Sequence, residues 1–251
     1  MISPNHLCTF RSVFFVFFIF GSLQLSAQNT YKQDYGAWNS VLFDYNISEK
    51  NKLRAEFHLR TVSFLSENKK HFFRFSTNYR ILPRVFLSFG YTYAKNYSRK
   101  KNKLRYLKEH DFWEQLYFNT TIQKLNIGAR VRLEQRFKEL DLASLYSAIK
   151  RYKDSNRVRF RLLFELPLLD NKLKIPLSTV FFDEVFLMMR PFGMPRDFDR
   201  NRAYLGIKAK LSPKITLSSG YQKNTIHLAK RSFLEYQIWN TFLIFVMKIQ
   251  P

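Results

Sequence analysis

The sequence is poor in cysteine and in acidic side chains, and these deficits narrow the class of protein. Its single cysteine is Cys8, so the rest of the chain can form neither a disulfide framework nor a thiolate metal site. Only 19 Asp and Glu stand against 42 Lys and Arg, which gives a formal net charge of +23. Aromatic residues are nevertheless abundant, at 18%, which excludes a disordered basic tail. We therefore expect a folded, strongly basic protein without disulfides.

The chain also lacks a candidate transmembrane helix after residue 28, because its most apolar later stretch, 241–247, has only the length of a strand. The first residues have a different character: Arg11 precedes an apolar run at 13–20, and small and polar residues follow up to Ala27. This layout is typical of a secretory signal peptide that is cleaved after Ala27. The apolar run is too short to anchor the protein in a membrane. We predict an exported protein.

Alternating apolar and polar residues recur along the rest of the chain. In LNIGARVRLEQRF, residues 125–137, the odd positions up to Leu133 are Leu, Ile, Ala, Val and Leu, while the even positions are Asn, Gly, Arg, Arg, Glu and Arg. Such alternation is typical of a β-strand whose two faces meet different surroundings. Similar segments follow one another at a roughly regular spacing, among them KLRAEFHL, FFRFSTNYRI, VFLSFGYTYA and NRVRFRLLFEL.

Strand length separates two candidate folds, a transmembrane β-barrel and a water-soluble β-sandwich. The segments at 85–96 and 125–137 alternate for about a dozen residues, whereas sandwich strands usually have about five or six and membrane strands about nine to eleven. We therefore predict an all-β, antiparallel transmembrane β-barrel at residues 28–251, preceded by a signal peptide at residues 1–27, in the outer membrane of a Gram-negative bacterium. Eleven alternating segments are visible. Because single-chain bacterial barrels have even strand numbers, we expect ten to twelve strands, with twelve favoured and an extra strand at 29–35.

Six short motifs occur in a fixed order along the chain: YGAWNSVLFDYNISEKNKLRAEFHLR, RVRLEQRF, RVRFRLLFELPL, FFDEVF, RNRAYLGI and LSSGYQ. In this order they resemble the uncharacterised outer-membrane family named domain of unknown function 2490 (DUF2490), which is common in Bacteroidetes-type bacteria. The resemblance extends over about residues 34–245 and implies an outer-membrane barrel without an established activity. In DFWEQLYF, Glu114 falls in phase with Phe112, Leu116 and Phe118, which leaves the register of that strand open.

The polar faces of the predicted strands would line the barrel interior. Their charged residues are Arg54, Glu56, Arg60, Arg74, Arg80, Arg130, Arg132, Glu134, Arg136, Arg157, Arg159, Arg161, Glu165, Glu184 and Arg202, and two more cations are Lys208 and Lys210. Ion pairs such as Arg132–Glu134–Arg136 and Arg161–Glu165 are expected to brace neighbouring strands. Four carboxylates cannot neutralise thirteen cations, so the predicted lumen would keep a positive electrostatic field. If the lumen is a narrow pore, this field favours small anions such as phosphates, carboxylates or acidic saccharides. A purely structural barrel and an anion-favouring pore both remain open.

The basic segment YSRKKNKLRYLK at 97–108 is predicted to be one of three long loops, the others being 138–155 and 188–199. It could contact anionic groups of the surrounding lipids and lipopolysaccharide, or it could simply be solvated. Export and regular alternation argue against nucleic-acid binding, for which no recognised signature is present. Aromatic residues near strand ends or on apolar faces are predicted to form interfacial girdles; they are Trp38, Tyr91, Tyr93, Trp113, Tyr117 and Trp239.

Motifs of familiar enzyme classes are missing, since the sequence has no Gly-rich phosphate loop, no His-Glu-x-x-His and no Gly-x-Ser-x-Gly. We therefore expect a non-enzymatic barrel with no cofactor and no metal ion. One alternative is an outer-membrane lipid-modifying hydrolase built around His71 or His110, or around His227 with Thr225 and Ser232. A second alternative is a soluble secreted β-protein.

Overall fold

The structure is a computed structural model of the chain, and it describes residues 30–100, 103–140, 152–168, 175–189, 195–228 and 232–248. The predicted signal peptide, residues 1–27, lies outside the described residues. Within the described ranges the regular elements are β-strands. No helix in this part of the chain is long and apolar enough to cross a membrane.

Eleven strands make up the described sheet. They are β1 (Thr30–Asn46), β2 (Asn51–Val62), β3 (Glu67–Leu82), β4 (Val85–Lys100), β5 (Lys103–Ile122), β6 (Leu125–Glu139), β7 (Tyr152–Pro167), β8 (Leu177–Met189), β9 (Pro195–Lys210), β10 (Ile215–His227) and β11 (Ser232–Lys248). The shortest has 12 residues and the longest 20, well above the five or six that are usual in globular sheets. Neighbouring strands in the chain pair antiparallel, and the sheet closes into a barrel. The prediction of an all-β barrel with ten to twelve strands is confirmed.

The barrel closes between its first and last strands. β1 and β11 pair in parallel from Thr30↔Ser232 to Asn46↔Lys248. The favoured number of twelve strands is wrong for the described residues, because the segment expected as an extra crossing continues without a break into β1. An odd number of up-and-down strands makes the first and last run in the same direction, so a parallel closing pair is a geometric necessity.

Two of the three connections predicted to be long loops are shorter than expected, and residues 141–151 of the third, 138–155, lie outside the described residues. β4 and β5 remain paired up to Lys100↔Lys103, so the described residues of the basic segment at 97–108 belong to two paired strands and not to a long loop. β8 and β9 likewise continue to within five residues of each other in the chain, at 190–194. Cross-strand hydrogen bonds satisfy backbone groups that an irregular loop would leave to water, which favours continuation of the strands.

Side-chain alternation divides the barrel into an apolar outside and a charged inside. In β6, Val131 and Leu133 are 41% and 37% exposed, whereas Arg132 and Glu134 are 4% and 3% exposed. The other strands repeat this pattern, with outward side chains that include Phe57, Phe75, Phe89, Phe112, Phe160, Phe181 and Leu205. The two faces of the opening motif at 125–137 therefore meet the exterior and the barrel interior, respectively.

The register of β5, which the sequence left open, is settled by the same alternation. Phe112 and Leu116 are 52% and 49% exposed, whereas Trp113 is buried. Glu114 consequently lies on the outer face among apolar neighbours, paired in register with Phe89 of β4 and Leu133 of β6.

Candidate functional site in the barrel interior

A cavity of about 1110 Å3 occupies the interior of the barrel. Its wall includes Lys50 and Asn51 at the end where β1 turns into β2, and Lys69 and Leu228 at the opposite end. Nineteen Lys and Arg side chains line this wall, against eight Asp and Glu. The cavity surface formed by the described residues therefore has a large excess of positive charge.

The structure places all fifteen charged residues expected at the lumen on this wall. They are Arg54, Glu56, Arg60, Arg74, Arg80, Arg130, Arg132, Glu134, Arg136, Arg157, Arg159, Arg161, Glu165, Glu184 and Arg202. Lys208 also lines the cavity, whereas Lys210 is not among the lining residues. These residues lie on two separate arcs of the barrel wall, β2–β3 and β6–β9.

Glu184 of β8 is the most heavily bonded carboxylate of the interior. It is 1% exposed and accepts hydrogen bonds from Arg130 of β6, from Arg159 of β7 at 2.9 Å, and from Arg202 of β9 at 3.4 Å. Charge-assisted bonds of this kind are about twice as strong as neutral ones. A single carboxylate therefore joins four consecutive strands.

Two further glutamates, Glu134 and Glu109, continue the network toward the end of the barrel that is marked by Lys69 and Leu228. Glu134 accepts hydrogen bonds from Arg157, with Nε at 2.9 Å, and from Arg159. Arg159 thus bridges Glu134 and Glu184. Glu109 of β5 accepts a hydrogen bond from Nε of Arg136 at 2.9 Å. The carboxylates are close to fully coordinated, which is the condition under which buried ion pairs stabilise a structure.

Of the pairs that sequence spacing suggested, Arg132–Glu134 is present at 3.9 Å, whereas the other two have different partners. Arg136 pairs with Glu109 rather than with Glu134, and Glu165 pairs with Lys208 rather than with Arg161. Long interior side chains reach diagonally to the neighbouring strand, as Arg136 of β6 does to Glu109 of β5, or past one intervening strand, as Lys208 of β9 does to Glu165 of β7. The partners across the strands could not be named before the register was known.

Several guanidinium groups in the interior have N–H donors that find no acceptor in the described part of the chain. They are Nε of Arg60, Arg130, Arg161 and Arg202, and Nη1 of Arg132. An unsatisfied buried donor costs about 1–3 kcal/mol. The side chains that carry these donors line one cavity. Its glutamates Glu109, Glu134 and Glu184 are already bonded to arginines.

Aromatic rings lie against several arginines of the interior, both those with and those without carboxylate partners. The guanidinium of Arg60 lies 3.9 Å from the ring centre of Trp38, and that of Arg132 lies 3.9 Å from the ring centre of Trp113. Phe186, which is 1% exposed, lies between Arg159 and several other arginines. Cation–π contacts of this type are worth about 0.5–2 kcal/mol each.

The predicted interfacial girdle is therefore wrong for three of its members. Trp38, Trp113 and Tyr117 line the cavity, because each lies in phase with polar neighbours on its strand. Trp239, in contrast, is 53% exposed on the outer face. The Trp113 ring lies over Gly90 of the neighbouring strand, where a Cβ would be 2.2 Å from the ring.

A serine, a histidine and a glutamate form a continuous hydrogen-bonded line on the cavity wall between β1 and β2. The Ser40 hydroxyl and Nδ1 of His58 are 2.6 Å apart, and Nε2 of His58 is 2.7 Å from Oε2 of Glu56. All three residues are buried. No sequence motif reveals them, because Ser40 and His58 become neighbours only through the cross-strand register Ser40↔His58.

The histidines that the sequence suggested for a hydrolase lie elsewhere. His71 bonds to Asn68 and Tyr97, His110 bonds to Tyr91 at 2.7 Å, and His227 packs on aromatic rings. Within the described residues, these contacts join none of the three histidines to a serine or a carboxylate. The same part of the chain contains no group of three or more His, Cys, Asp and Glu that could hold a metal ion.

The fold and its interior define the class of protein: a closed β-barrel with an apolar exterior and an arginine-rich, internally ion-paired lumen. The chain belongs to the family described as protein of unknown function (DUF2490), whose model matches residues 35–235. This match confirms the family that the ordered motifs resemble.

Two solved barrels are similar in part. The β domain of the Bordetella autotransporter Brka is 7% identical, with a TM-score of 0.43, covering 78% of this chain and 82% of that chain. The siderophore receptor PirA from Pseudomonas aeruginosa is 13% identical, with a TM-score of 0.30, covering 74% of this chain and 37% of that chain. Such low TM-scores carry no information about the function of this chain. No curated protein matches the sequence.

Proposed function

We propose that the protein is an outer-membrane β-barrel whose positively charged lumen favours small anions. The membrane part of this proposal rests on the outer surface, where phenylalanines and leucines are about 40–55% exposed on strand after strand. A water-soluble barrel would expose a contiguous apolar belt of this kind to water, which monomeric soluble proteins rarely do. The predicted signal peptide supplies the route of export. The lipids and lipopolysaccharide of the outer membrane then surround this surface.

The preference for anions rests on one observation: lining cations outnumber lining carboxylates by nineteen to eight. In a cavity with low-dielectric walls, one sign of charge concentrates ions of the opposite sign. The glutamates are already coordinated by arginines, so they do not cancel the remaining charge. Arg60 and Arg161 line the cavity and carry no ion pair with a carboxylate among the described residues.

Ion selectivity in planar lipid bilayers tests this proposal. Under a potassium chloride gradient, the wild-type protein is expected to give a reversal potential with the sign of a chloride-selective pore. The double variant Arg60→Gln/Arg161→Gln should move the reversal potential toward that of potassium, because it removes two unpaired lumen charges without breaking an ion pair.

The matched control is Arg84→Gln/Lys124→Gln, which removes the same charge from turn residues outside the cavity wall. This control should leave the reversal potential unchanged. A folded, heat-resistant barrel without any conductance would instead support a closed structural barrel, whose lumen is sealed by its own ion pairs. Cation selectivity of the wild type would refute the proposal outright.

A further inference from the structure

The line Ser40–His58–Glu56 has the hydrogen-bond order of a nucleophile, a base and an orienting carboxylate. Glu56 Oε2 accepts a hydrogen bond from Arg74 at 3.0 Å and faces Nε2 of His58 at 2.7 Å. Since a carboxylate only accepts, Nε2 carries the proton of the neutral ring. Nδ1 is then unprotonated and accepts the hydrogen bond of the Ser40 hydroxyl at 2.6 Å. This tautomer is the one that could receive the serine proton.

The histidine ring is held in a fixed orientation. It stacks on Phe72 with ring centres 4.1 Å apart and planes inclined by 12°. Glu56 fixes one edge of the ring through Nε2, and its own position is fixed by the Arg74 guanidinium. A base within hydrogen-bond reach of its nucleophile and oriented by a third group is the general signature of an activated serine.

A positive donor stands next to this line on the same two strands. Trp38 and Arg60 are directly paired in register, one inward position along from Ser40↔His58. The Arg60 guanidinium is held over the Trp38 ring, and its Nε has no acceptor among the described residues. Ser40, His58, Glu56 and Arg60 all line the cavity. Preorganised donors beside a nucleophile stabilise the oxyanion that forms during acyl transfer.

We infer that Ser40 is a catalytic nucleophile with His58 as its general base, and that the barrel interior hydrolyses small esters that carry a negative charge. Glu56 acts as a positioning residue for His58. The preference for a charged ester rests on the proposed anion-favouring lumen, whereas the reactivity of Ser40 does not.

The reaction has two balanced steps. Ser40 Oγ bonds to the acyl carbon, its proton moves to Nδ1 of His58, the ester C–O bond breaks, and the alcohol leaves with that proton. A water molecule then attacks the acyl-serine and gives a proton to His58. The carboxylic acid departs as Ser40 regains the proton.

Reactivity with a small, uncharged alkyl fluorophosphonate tests the nucleophile on the refolded full chain in detergent. Attack by Ser40 displaces fluoride and leaves a phosphonyl adduct, which peptide mass spectrometry can assign to a residue. We expect a single adduct on Ser40. The variant His58→Gln should react at least about 100-fold more slowly, since general-base catalysis contributes a factor of about 100 to 10,000.

Ser88→Ala is the matched control. Ser88 is also a buried serine on the cavity wall, but its hydroxyl donates to Asn78 at 2.7 Å and meets no histidine. Its loss should leave labelling unchanged. No adduct on the folded wild type, an adduct on another residue, or a rate indifferent to His58→Gln would each overturn the inference. Because the adduct is mapped on the wild type, the result holds even if a Ser40 variant does not fold.

The role of Glu56 has its own readout. In Glu56→Gln the side-chain amide can donate to Nε2 and so favour the other tautomer of His58, with the proton on Nδ1. Nitrogen-15 chemical shifts of His58 should report that change together with slower labelling, whereas a merely structural role would slow labelling without changing the tautomer.

Two nitrophenyl esters separate this inference from the proposed lumen charge. An ester that carries a carboxylate should be hydrolysed faster than the neutral acetate, and Ser40→Ala should abolish both reactions. Equal rates for the two esters would remove the charged-substrate preference, while an adduct on Ser40 would still establish the nucleophile.

Discussion

Arg159 and Arg161 lie two residues apart on the inner face of β7, yet the structure gives them different energetic roles. Arg159 donates hydrogen bonds to both Glu134 and Glu184. Arg161 makes no ion pair with a carboxylate among the described residues and lies over Phe182, with 5.4 Å to the ring centre. Replacement by methionine keeps an unbranched side chain at either position and removes the charge with all its donors.

The expected effects of the two changes differ in size. Breaking a buried ion pair by removing one partner costs about 3–5 kcal/mol. Glu184 retains Arg130 and Arg202 in Arg159→Met, and Glu134 retains Arg157, so we expect a loss near 3 kcal/mol, at the lower end of that range. Arg161→Met removes one cation from a cavity wall in which cations already outnumber carboxylates. It should therefore leave stability within about 0.5 kcal/mol of wild type or increase it.

Reversible urea unfolding of the refolded barrel in detergent or lipid vesicles measures both values, with intrinsic tryptophan fluorescence as the probe. The free energy of unfolding should fall only for Arg159→Met, at an unchanged denaturant slope. Equal losses for the two variants would mean that the arginines act by filling space and not by pairing with carboxylates. A stable Arg159→Met barrel would refute the network as a source of stability.

Two other changes test the faces of the sheet. Val131→Arg puts a charge on the apolar exterior and should cost about 2–4 kcal/mol in lipid if this face lies at the membrane midplane; an unchanged stability in bilayers would place the face in water. Gly90→Ala puts a Cβ where the Trp113 ring lies, so the ring must move away from Arg132 and from its 3.2 Å hydrogen bond to Thr92. We expect a loss of about 1–3 kcal/mol and a shifted Trp113 emission, and an unshifted spectrum with normal stability would contradict the packing.

The strands and their two faces could be predicted because alternation is a local property. In β6 the sequence alone separates Val131 and Leu133 from Arg132 and Glu134, and the burial values follow that separation. The connections were harder to predict. Charged residues at 97–108 suggested a loop, but the two strands remain paired through most of this segment. Composition describes how well a segment is solvated, and it does not say where the backbone ladder ends.

The site was predictable as a set of residues and not as a set of contacts. Arg130 and Glu184 are 54 residues apart in the chain and meet only because β6, β7 and β8 are adjacent. Alternation could have assigned Trp38 to the interior, since it shares the phase of Ser40 and not that of Val41. The expectation that tryptophans mark membrane interfaces outweighed that signal. Ser40 and His58 flank the short turn at 47–50, so the register of that single hairpin would have revealed their pairing.

The parallel closure links barrel formation to the chemistry of the interior. Parallel pairing is slightly weaker per residue than antiparallel pairing, but this seam extends over the full seventeen residues of β1. Its length therefore offsets its weaker bonds. β1 pairs with β2 over only nine residues, from Trp38↔Arg60 to Asn46↔Lys52, so the seam contributes much to holding β1 in register. A slip of one residue in β1 would turn Trp38, Ser40 and Asp44 to the outer face. Such a slip would remove the serine from His58 and a carboxylate from Arg54, so the correct seam and the Ser40–His58–Glu56 line form together or not at all.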